Sequence, residues 1–290
     1  MHTIEKDIPV VTQWDEVIVP SASLFDLRLK EVWRYRDLLL LFVKRDFTAQ
    51  YKQTVLGPLW HFIQPIFTTV VFLLVFHSIA NIPTDGIEVI PFYMSGIAIW
   101  NYFSSCLTGT SSTFVANAHI FGKVYFPRMV IPLSNVMSNV VKFGIQFILL
   151  LAVMVWFGFK TGHFYISFTW LLLPVLVLMM AGMGLGLGII ISSLTTKYRD
   201  FTVLIGFAVQ LLMYATPVVY PLSYLQNKSY QWVIAANPLT PIVEAFRYAL
   251  FGKGSFDGLH LMYSGIFIIV TLFIGTMIFN KVERGFMDTV

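Results

Sequence analysis

The sequence predicts an all-α integral membrane protein with six transmembrane helices, an amphipathic helix before the first span, and re-entrant half-helices between the fifth and sixth spans. Both termini are expected in the cytoplasm. Composition is the first reason: of 290 residues, 57% are hydrophobic and 12% are charged, and the mean hydropathy is +0.75. Soluble domains carry about 25% charged residues, so water is an unsuitable solvent for this chain. The length of the apolar segments and the placement of Lys and Arg are the other two reasons.

Six segments have the length of about 20 mostly apolar residues that a transmembrane helix needs. They fall at about 59–80, 92–117, 130–157, 168–194, 201–220 and 260–280. The chain then divides into a polar N-terminal extension at 1–30, an amphipathic helix at 31–56 and a six-span domain at 57–290. The extension lacks the apolar core of a secretory signal peptide, so we do not expect it to be cleaved as one.

The placement of Lys and Arg predicts the orientation, because short cytoplasmic loops carry an excess of these residues. With the N-terminus inside, 14 of the 19 Lys and Arg lie on the cytoplasmic side, four lie outside, and Lys142 falls within the third span. The outer segment 221–258 contains two apolar pieces that are each too short to cross a membrane. Half-helices that re-enter the membrane and helices packed on the surface of the bundle both remain open for this segment.

Several classes of function lack the residues that they need. The P-loop pattern GxxxxGK[ST] does not occur, the histidines have no metal-ligand spacing, and Cys106 is the single cysteine. The apolar segments lack the carboxylates that proton- and sodium-driven transporters use, and no cluster of Asp, Glu, His or Ser indicates a membrane enzyme. We therefore expect no catalytic residue, no metal site, no cofactor held by this chain and no nucleic-acid partner.

The segment before the first span has the pattern of a helix over about residues 31–54. Arg34, Arg45 and Lys52 lie near one face, where cations of a membrane-surface helix meet lipid phosphates. Such a helix is either a simple anchor or part of a functional surface. The opposite face is an apolar and aromatic row at four-residue steps: Tyr35, Leu39, Val43, Phe47, Tyr51 and Val55.

Gly57-Pro58 is expected to end this helix, because the residue before a proline avoids the α conformation and proline suits the first turn of the next helix. The chain must therefore bend between the surface helix and the first span. A bend flanked by Tyr51, Lys52, Leu56 and Trp60 is suited to admitting a phosphate head group from the inner leaflet. A plain elbow without a ligand is the alternative.

The second and third spans carry unusual polar and aromatic residues. Seven Ser and Thr between positions 104 and 113 favour close helix contact or a polar lumen. Trp100, Tyr102 and Phe103, placed toward the outer end, form either an interfacial belt or a surface that stacks on sugar rings. Lys142 lies about 16 Å into the third span. It either faces a cavity or snorkels to the membrane surface. The cavity is favoured by the polar residues on the same face: Asn135, Ser138, Asn139 and Gln146.

The loop at 118–131 is short, basic and expected in the cytoplasm. As a surface loop it would expose Phe121, Tyr125 and Phe126 beside Lys123 and Arg128. Exposed aromatic residues next to cations suggest docking onto another protein. Burial of these rings in the bilayer interface is the alternative.

The fourth span contains two interleaved GxxxG spacings. This pattern predicts close helix packing without a chemical role. The residues are Gly182, Gly184, Gly186 and Gly188.

Four stretches resemble a known family when they occur in this order. They are RDFTAQYKQTVLGPLW at 45–60, FGKVYFPR at 121–128, TKYRDF at 196–201 and ANPLTPIVEAFRYALFG at 236–252. Together they resemble the permease subunits of type-two ABC polysaccharide exporters, the family of Wzm-like O-antigen, capsule and teichoic acid permeases. The resemblance covers about residues 30–290 and is specific in the combination of stretches, not in any one of them.

This resemblance implies a homodimer with six spans in each chain, paired with two copies of a cytoplasmic Wzt-like ATPase that binds ATP and Mg²⁺. It implies that 31–56 is an interface helix, 118–130 a coupling loop seated on the ATPase, and 222–252 a pair of outer gate helices. The head-group entrance would comprise Arg45, Tyr51, Lys52, Leu56, Gly57 and Trp60. The glycan path would comprise Trp100, Tyr102, Phe103, Lys142, Tyr214 and Tyr220. The coupling residues would be Phe121, Gly122, Lys123, Val124, Tyr125, Phe126, Pro127 and Arg128.

The function that this resemblance implies is ATP-driven export of undecaprenyl-diphosphate-linked polysaccharide, O-antigen first, across the bacterial cytoplasmic membrane. A type-two ABC exporter of teichoic acid, or of a drug or small lipid, is the alternative. Aromatic stacking suits a sliding polymer, because it holds a sugar chain without a fixed set of hydrogen bonds.

Overall fold

A computed structural model describes residues 29–121, 123–124, 126–162, 165, 167–198, 200–225, 228–229 and 231–286. Every regular element in these ranges is a helix, which confirms the all-α prediction. Most of the predicted extension at 1–30, together with Gly122 and Tyr125 of the predicted coupling loop, lies outside the described residues.

The N-terminal region contains three α-helices, one 3₁₀ turn and one π-helical segment. These are α1 (Leu29–Arg34), α2 (Arg36–Tyr51), a 3₁₀ turn at Gly57–Leu59, α3 (Trp60–Phe72) and a π-helical segment at Leu73–Ile79. The prediction of one helix over 31–54 is therefore wrong in two respects: the helix is interrupted at Tyr35, and it ends at Tyr51.

The helix ends early because the residues after Tyr51 leave the helical conformation. Lys52 is extended and Gln53 has a φ of 66°, a left-handed value that a helix cannot contain. Thr54 then donates both its amide, at 3.2 Å, and its hydroxyl, at 2.9 Å, to the Tyr51 carbonyl. The bend predicted at Gly57-Pro58 thus begins five residues earlier and also includes Gly57, whose φ is 50°.

The central region contains α4 (Val89–Ser111), α5 (Thr113–Phe121), α6 (Val130–Thr161), a 3₁₀ turn at Phe168–Leu172 and α7 (Leu173–Thr195). The second predicted span, 92–117, is divided at Ser112. Hydroxyl groups of the three residues around the division donate to carbonyls three positions back, at 2.7 to 3.1 Å. Such bonds compete with the helical ladder and favour a break.

The C-terminal region contains α8 (Phe201–Tyr214), a 3₁₀ turn at Leu222–Leu225, α9 (Gln231–Ala236), α10 (Thr240–Phe251) and α11 (Gly258–Phe286). The fifth predicted span, 201–220, is helical only to Tyr214. Pro217 follows closely and disfavours the α conformation of the residue before it. At about 21 Å, α8 is shorter than a hydrocarbon core of about 30 Å.

Four helices among the described residues are long and apolar enough to cross a membrane: Gly57–Ile79, Val130–Thr161, Phe168–Thr195 and Gly258–Glu283. Helix α4 is not among them because it is too polar, although it lies at the centre of the structure. All residues from Pro91 to Trp100 are buried, and α4 packs against α3, α6, α7, α8 and α10. A helix enclosed by protein does not need a lipid-compatible surface, so its polar residues are free to serve packing or a cavity.

Helix α10 is also enclosed, since all of its residues except Tyr248 are buried. A helix on the surface of the bundle would not be buried all round, so that alternative does not fit α10. Helix α9 is not enclosed in this way, because its Trp232 is 72% exposed, so the surface alternative still fits α9.

Candidate functional site

A polar chamber of about 260 Å³ lies between the end of α2, the start of α3 and the middle parts of α4 and α6. Carboxamides and hydroxyls dominate its walls, and none of the described lining residues is a carboxylate. Polar groups at membrane depth are tolerated where they line a cavity. The lining residues are Gln50, His61, Gln64, Asn101, Tyr102, Ser104, Ser105, Asn139, Lys142, Phe143 and Gln146.

Lys142 is the single Lys or Arg among the described lining residues and is half-buried. Its ammonium makes no hydrogen bond or ion pair of standard length with any residue that the structure describes. Asp46 acts on it electrostatically from a distance, but the carboxylate of Asp46 is bonded to Arg45 at 2.7 Å. The structure thus places Lys142 in the lining of a cavity.

Two further polar groups beside the chamber are poorly satisfied. The Asn139 Oδ1 atom is buried without a hydrogen bond, and the Tyr102 hydroxyl is buried against the thiol of Cys106, a weak acceptor. Asn101 donates to Gln146 at 3.5 Å, which is the long limit for such a bond. An unpaired buried polar group costs about 1–3 kcal/mol, so a polar ligand that reached Asn139 would relieve this cost.

The predicted head-group entrance adjoins this chamber. The Tyr51 hydroxyl is hydrogen-bonded to the ring of His61 and so joins the end of α2 to the start of α3. Burial raises the pKa of Tyr51, which keeps its hydroxyl protonated as a donor. Leu56 and Gly57 are half-buried in the bend, while Trp60 is 51% exposed beside it.

The two predicted entrance cations differ in their surroundings. Arg45 stacks on Phe42, with 4.6 Å between its guanidinium and the ring, and is neutralised by Asp46. Lys52 is exposed and forms no ion pair within the described ranges. Lys52 is therefore the more available cation for an anionic ligand that approaches the bend.

The three aromatic residues predicted at the end of the second span lie in the middle of α4. Trp100, Tyr102 and Phe103 are buried, so they do not form an interfacial belt. Tyr102 lines the polar chamber, and Trp100 lines a second cavity of about 410 Å³ together with Tyr214. Phe103 is fully buried in the core of the chain itself.

The second cavity lies beside the end of α8. Tyr214 is 54% exposed and accepts at its carbonyl from the Tyr220 hydroxyl at 2.7 Å. Apart from Phe103, the predicted glycan-path residues thus fall into two groups. Tyr102 and Lys142 line the chamber, whereas Trp100 and Tyr214 line the second cavity, with Tyr220 bonded to Tyr214.

The expectation that Phe121 and Phe126 are exposed is wrong. Both rings are buried with Phe42, Phe114 and Phe279, so the loop folds onto the ends of several helices. The centroids of Phe42 and Phe126 lie 5.7 Å apart, which also docks α2 on the bundle. The apolar row predicted for this helix is only half-buried, and its last member, Val55, is fully exposed.

Arg128 packs against the same buried cluster as Phe121 and Phe126. It donates to the Glu283 carbonyl at 2.8 Å and lies 5.2 Å from the Phe121 ring centroid. Lys123 and Val124 are instead exposed at the tip of the loop. Of the described coupling residues, only these two are exposed enough to meet a partner.

Sequence reasoning missed two pairs of polar residues, one in the chamber and one in the core. His61 and Gln64, three residues apart at the start of an apolar segment, are polar signals that indicate one wall of the chamber. Glu244 and Arg247 have the same spacing within an apolar helix and form a buried ion pair at 3.3 Å. This pairing is detectable from the sequence because residues three apart share a helix face.

A polar chamber enclosed by membrane-capable helices is typical of membrane transport proteins. Residues 37–251 match the ABC-2 type transporter family, and the chain belongs to that family. It is a multi-pass protein of the cytoplasmic membrane.

Three relatives illustrate the similarity. The chain is 30% identical over 255 residues to an O-antigen export system permease protein of Klebsiella pneumoniae, which covers 87% of this chain and 94% of the relative. The corresponding protein of Myxococcus xanthus is 30% identical over 90% of this chain and 98% of its own length. The polysialic acid transport protein KpsM of Escherichia coli is 23% identical over 84% of this chain and 93% of its own length.

Proposed function

We propose that this chain is the membrane-spanning subunit of an ATP-driven exporter that moves undecaprenyl-diphosphate-linked polysaccharide, O-antigen first, across the cytoplasmic membrane. The observation that carries this proposal is the similarity to O-antigen export permeases at 30% identity over nearly the whole chain. The polar chamber beside the bend supports it, because an anionic lipid head group needs a polar site at the edge of the membrane.

The proposed assembly contains two copies of this chain and two copies of a cytoplasmic ATPase, which binds ATP and Mg²⁺. Each copy has six spans, formed by α3, α4 with α5, α6, α7, α8 and α11, and both termini lie in the cytoplasm. The regions 31–56, 57–290 and 222–252 then serve as the interface helix, the permease domain and, within it, the outer gate.

One face of α8 supports a second copy. Thr202, Gly206, Gln210 and Tyr214 recur at four-residue steps, and all four are exposed. A polar glutamine with glycine and threonine suits a protein interface or a watery path better than lipid. This face is accordingly the proposed wall of the glycan path.

Export would begin when the head group reaches the entrance formed by Arg45, Tyr51, Lys52, Leu56, Gly57 and Trp60. The glycan would then pass Trp100, Tyr214 and Tyr220. Phe103 is omitted from this path, because it does not reach a surface of the chain. The loop at 118–130 would transmit the movement of the ATPase.

Deletion of the gene in its native host tests the function. We expect long glycans on undecaprenyl diphosphate to accumulate inside the cell and to disappear from the surface, because synthesis continues without export. Extraction of lipid-linked glycans and comparison of surface polysaccharide measure both. Unchanged glycans inside and outside would exclude polysaccharide export and favour efflux of a drug or small lipid.

Introduction of negative charge at the loop tip tests the coupling between this loop and the ATPase. The double variant Lys123→Glu with Val124→Glu should lower export by about tenfold or more, because like charges across a docked interface cost several kcal/mol. Both side chains are exposed, so the fold should be retained. Export and co-purification of the ATPase measure the effect.

Lys228→Glu is the matched control, since this lysine is exposed on a segment that is predicted to lie on the outer side of the membrane, away from the ATPase. Arg128 is unsuitable as a test residue because its contacts with Glu283 hold the fold. Normal export by the double variant at full expression would remove the coupling role from this loop tip.

A further inference from the structure

The geometry points to the chamber around Lys142 as the binding site of a glycosyl phosphate. This group is the part of the substrate where the sugar chain is joined to the diphosphate of its lipid carrier. This inference rests on the proposed function and goes beyond it, because it moves the head group from the bend itself to a defined binding site inside the bundle.

Charge is the first argument. Lys142 brings one positive charge into a chamber whose described lining contains no carboxylate. Its ammonium is half-buried and unpaired within the residues that the structure covers, so it retains three donors for a ligand. An ionised phosphate oxygen forms shorter and stronger hydrogen bonds with such a donor than a neutral group does.

Hydrogen-bond chemistry is the second argument. Tyr102 is 3% exposed, and its hydroxyl, which faces only the weak acceptor Cys106, is suited to donate to a phosphate oxygen instead. Asn139 is 2% exposed, and its unpaired Oδ1 atom needs a donor. A fully ionised phosphate has no hydrogen to donate, but a sugar hydroxyl does. A ligand that contains both groups satisfies both side chains.

The amides around these residues extend the same argument. Asn101 and Gln146 share only a long bond of 3.5 Å, so both are able to exchange it for a ligand. Ser104 and Ser105 add hydroxyls on the neighbouring turn of α4. These closely spaced carboxamides and hydroxyls are suited to hydrogen-bond the hydroxyls of a sugar, whereas the ammonium of Lys142 is suited to bind the adjoining phosphate.

Access and size are the third argument. Gln50 lies in the last turn of α2, and His61 and Gln64 lie in the first turns of α3, so the chamber adjoins the bend between these helices. A volume of about 260 Å³ accommodates a head group and excludes a polymer. The lipid tail would remain in the membrane beside the bend, with the exposed Lys52 as the first cation that the phosphates meet.

Binding of a defined probe tests this inference. The complete exporter is placed in phosphatidylcholine nanodiscs and titrated with polyprenyl-diphosphate N-acetylglucosamine, with bound probe measured by native mass spectrometry. Lys142→Met should weaken binding by about 10- to 100-fold, the range for a lost charged hydrogen bond. Tyr102→Phe should weaken it by about threefold to tenfold.

Three controls accompany this measurement. Lys142→Arg keeps the charge and should retain most of the binding. Lys160→Met removes an exposed cation at the far end of the same helix and should bind as the parent protein does. Lys142→Gln provides a second uncharged variant if the methionine variant is not recovered as a folded complex.

The outcomes separate the two proposals. Binding by the parent protein and equal binding by Lys142→Met would overturn the chamber assignment and leave the proposed function intact. No binding of the probe by the parent protein would count against the proposed function. Equal binding of dioleoylphosphatidylglycerol, or displacement of the probe by it, would overturn the glycosyl phosphate in favour of a membrane phospholipid head group.

Discussion

Replacement of Arg247 by Met should lower the thermal midpoint of the purified protein by roughly 10 °C, because removal of one partner from a buried ion pair costs about 3–5 kcal/mol. Arg247 is 1% exposed and lies in the middle of α10. It donates to the carbonyls of Pro217 and Val218, at 2.5 Å each, and pairs with Glu244 at 3.3 Å. Its guanidinium also lies 3.9 Å from the centroid of the Phe92 ring.

The destabilisation has two sources that a second variant separates. Without Arg247, the Glu244 carboxylate keeps bonds from the Leu222 amide, at 3.3 Å, and from Ser255, at 3.2 Å, but loses its counter-charge. Glu244→Gln in the Arg247→Met background should recover part of the lost stability, because it removes the uncompensated charge. The unpaired carbonyls of Pro217 and Val218 would account for the remainder.

Arg36→Met is the matched control, because its ion pair with Asp37 is 4.0 Å long and exposed. Such surface pairs contribute about 0–1 kcal/mol, so the thermal midpoint should hardly change. An Arg247→Met protein with the parent midpoint would show that the buried pair does not hold this region together.

The Arg247 side chain of this ion pair also connects segments that are distant in sequence. A Cβ atom on Gly96 of α4 would lie 2.5 Å from the Val218 carbonyl oxygen and 2.8 Å from an Arg247 nitrogen. Helix α4 and the segment after α8 are therefore at backbone distance from each other, and the guanidinium of Arg247 connects both to helix α10. If 222–252 acts as an outer gate, the segment at Pro217–Tyr220 must move together with α10.

The elements that could be predicted from sequence are those whose signal is carried by their own residues. Helices α6, α7 and α11 were predicted because each is long and apolar, and the cavity at Lys142 was predicted from a polar stripe on one helix face. The end of α2 was misplaced because Gln53 has a left-handed conformation that no sequence pattern marks. The division at Ser112 depends on side-chain bonds that the Ser and Thr content made possible but did not require.

The parts that could not be predicted depend on contacts between distant segments. Phe121 and Phe126 were expected at the surface, since nothing in the loop indicates that Phe42 and Phe279 close over it. The chamber required residues from four helices. The sequence marked polar residues on α6 and on α4 separately, but their meeting with α2 and α3 in one cavity became apparent only from the packing of these helices.

Substitution of Gly184 by Val should destabilise the protein by about 1–3 kcal/mol or more, because α7 is held against α4 at backbone distance. A Cβ atom on Gly184 would lie 2.7 Å from the Cys106 Cβ and 3.2 Å from the Leu107 amide nitrogen, and backbone atoms cannot move aside as a flexible side chain can. Gly188→Val should act similarly, since its Cβ would lie 2.6 Å from the Cβ of Thr110.

The other face of α7 confirms the prediction of close packing. Gly182 and Gly186 approach Ile268 and Thr271 of α11, where added Cβ atoms would lie 2.8 and 3.0 Å from these side chains. The alternating glycines thus let one helix touch two neighbours, which a GxxxG pattern on one face alone would not require.

Displacement of α4 by Gly184→Val should also reach the chamber. Asn101 and Tyr102 project from the same helix one to two turns before Cys106, so a shift of α4 would move them relative to Lys142 on α6. We expect a lower thermal midpoint together with weaker binding of the polyprenyl-diphosphate probe. Gly144→Val is the matched control, because a Cβ there meets no atom within 4 Å. A Gly184→Val protein that is destabilised and still binds the probe fully would show that the chamber is held by α3 and α6 and not by the position of α4.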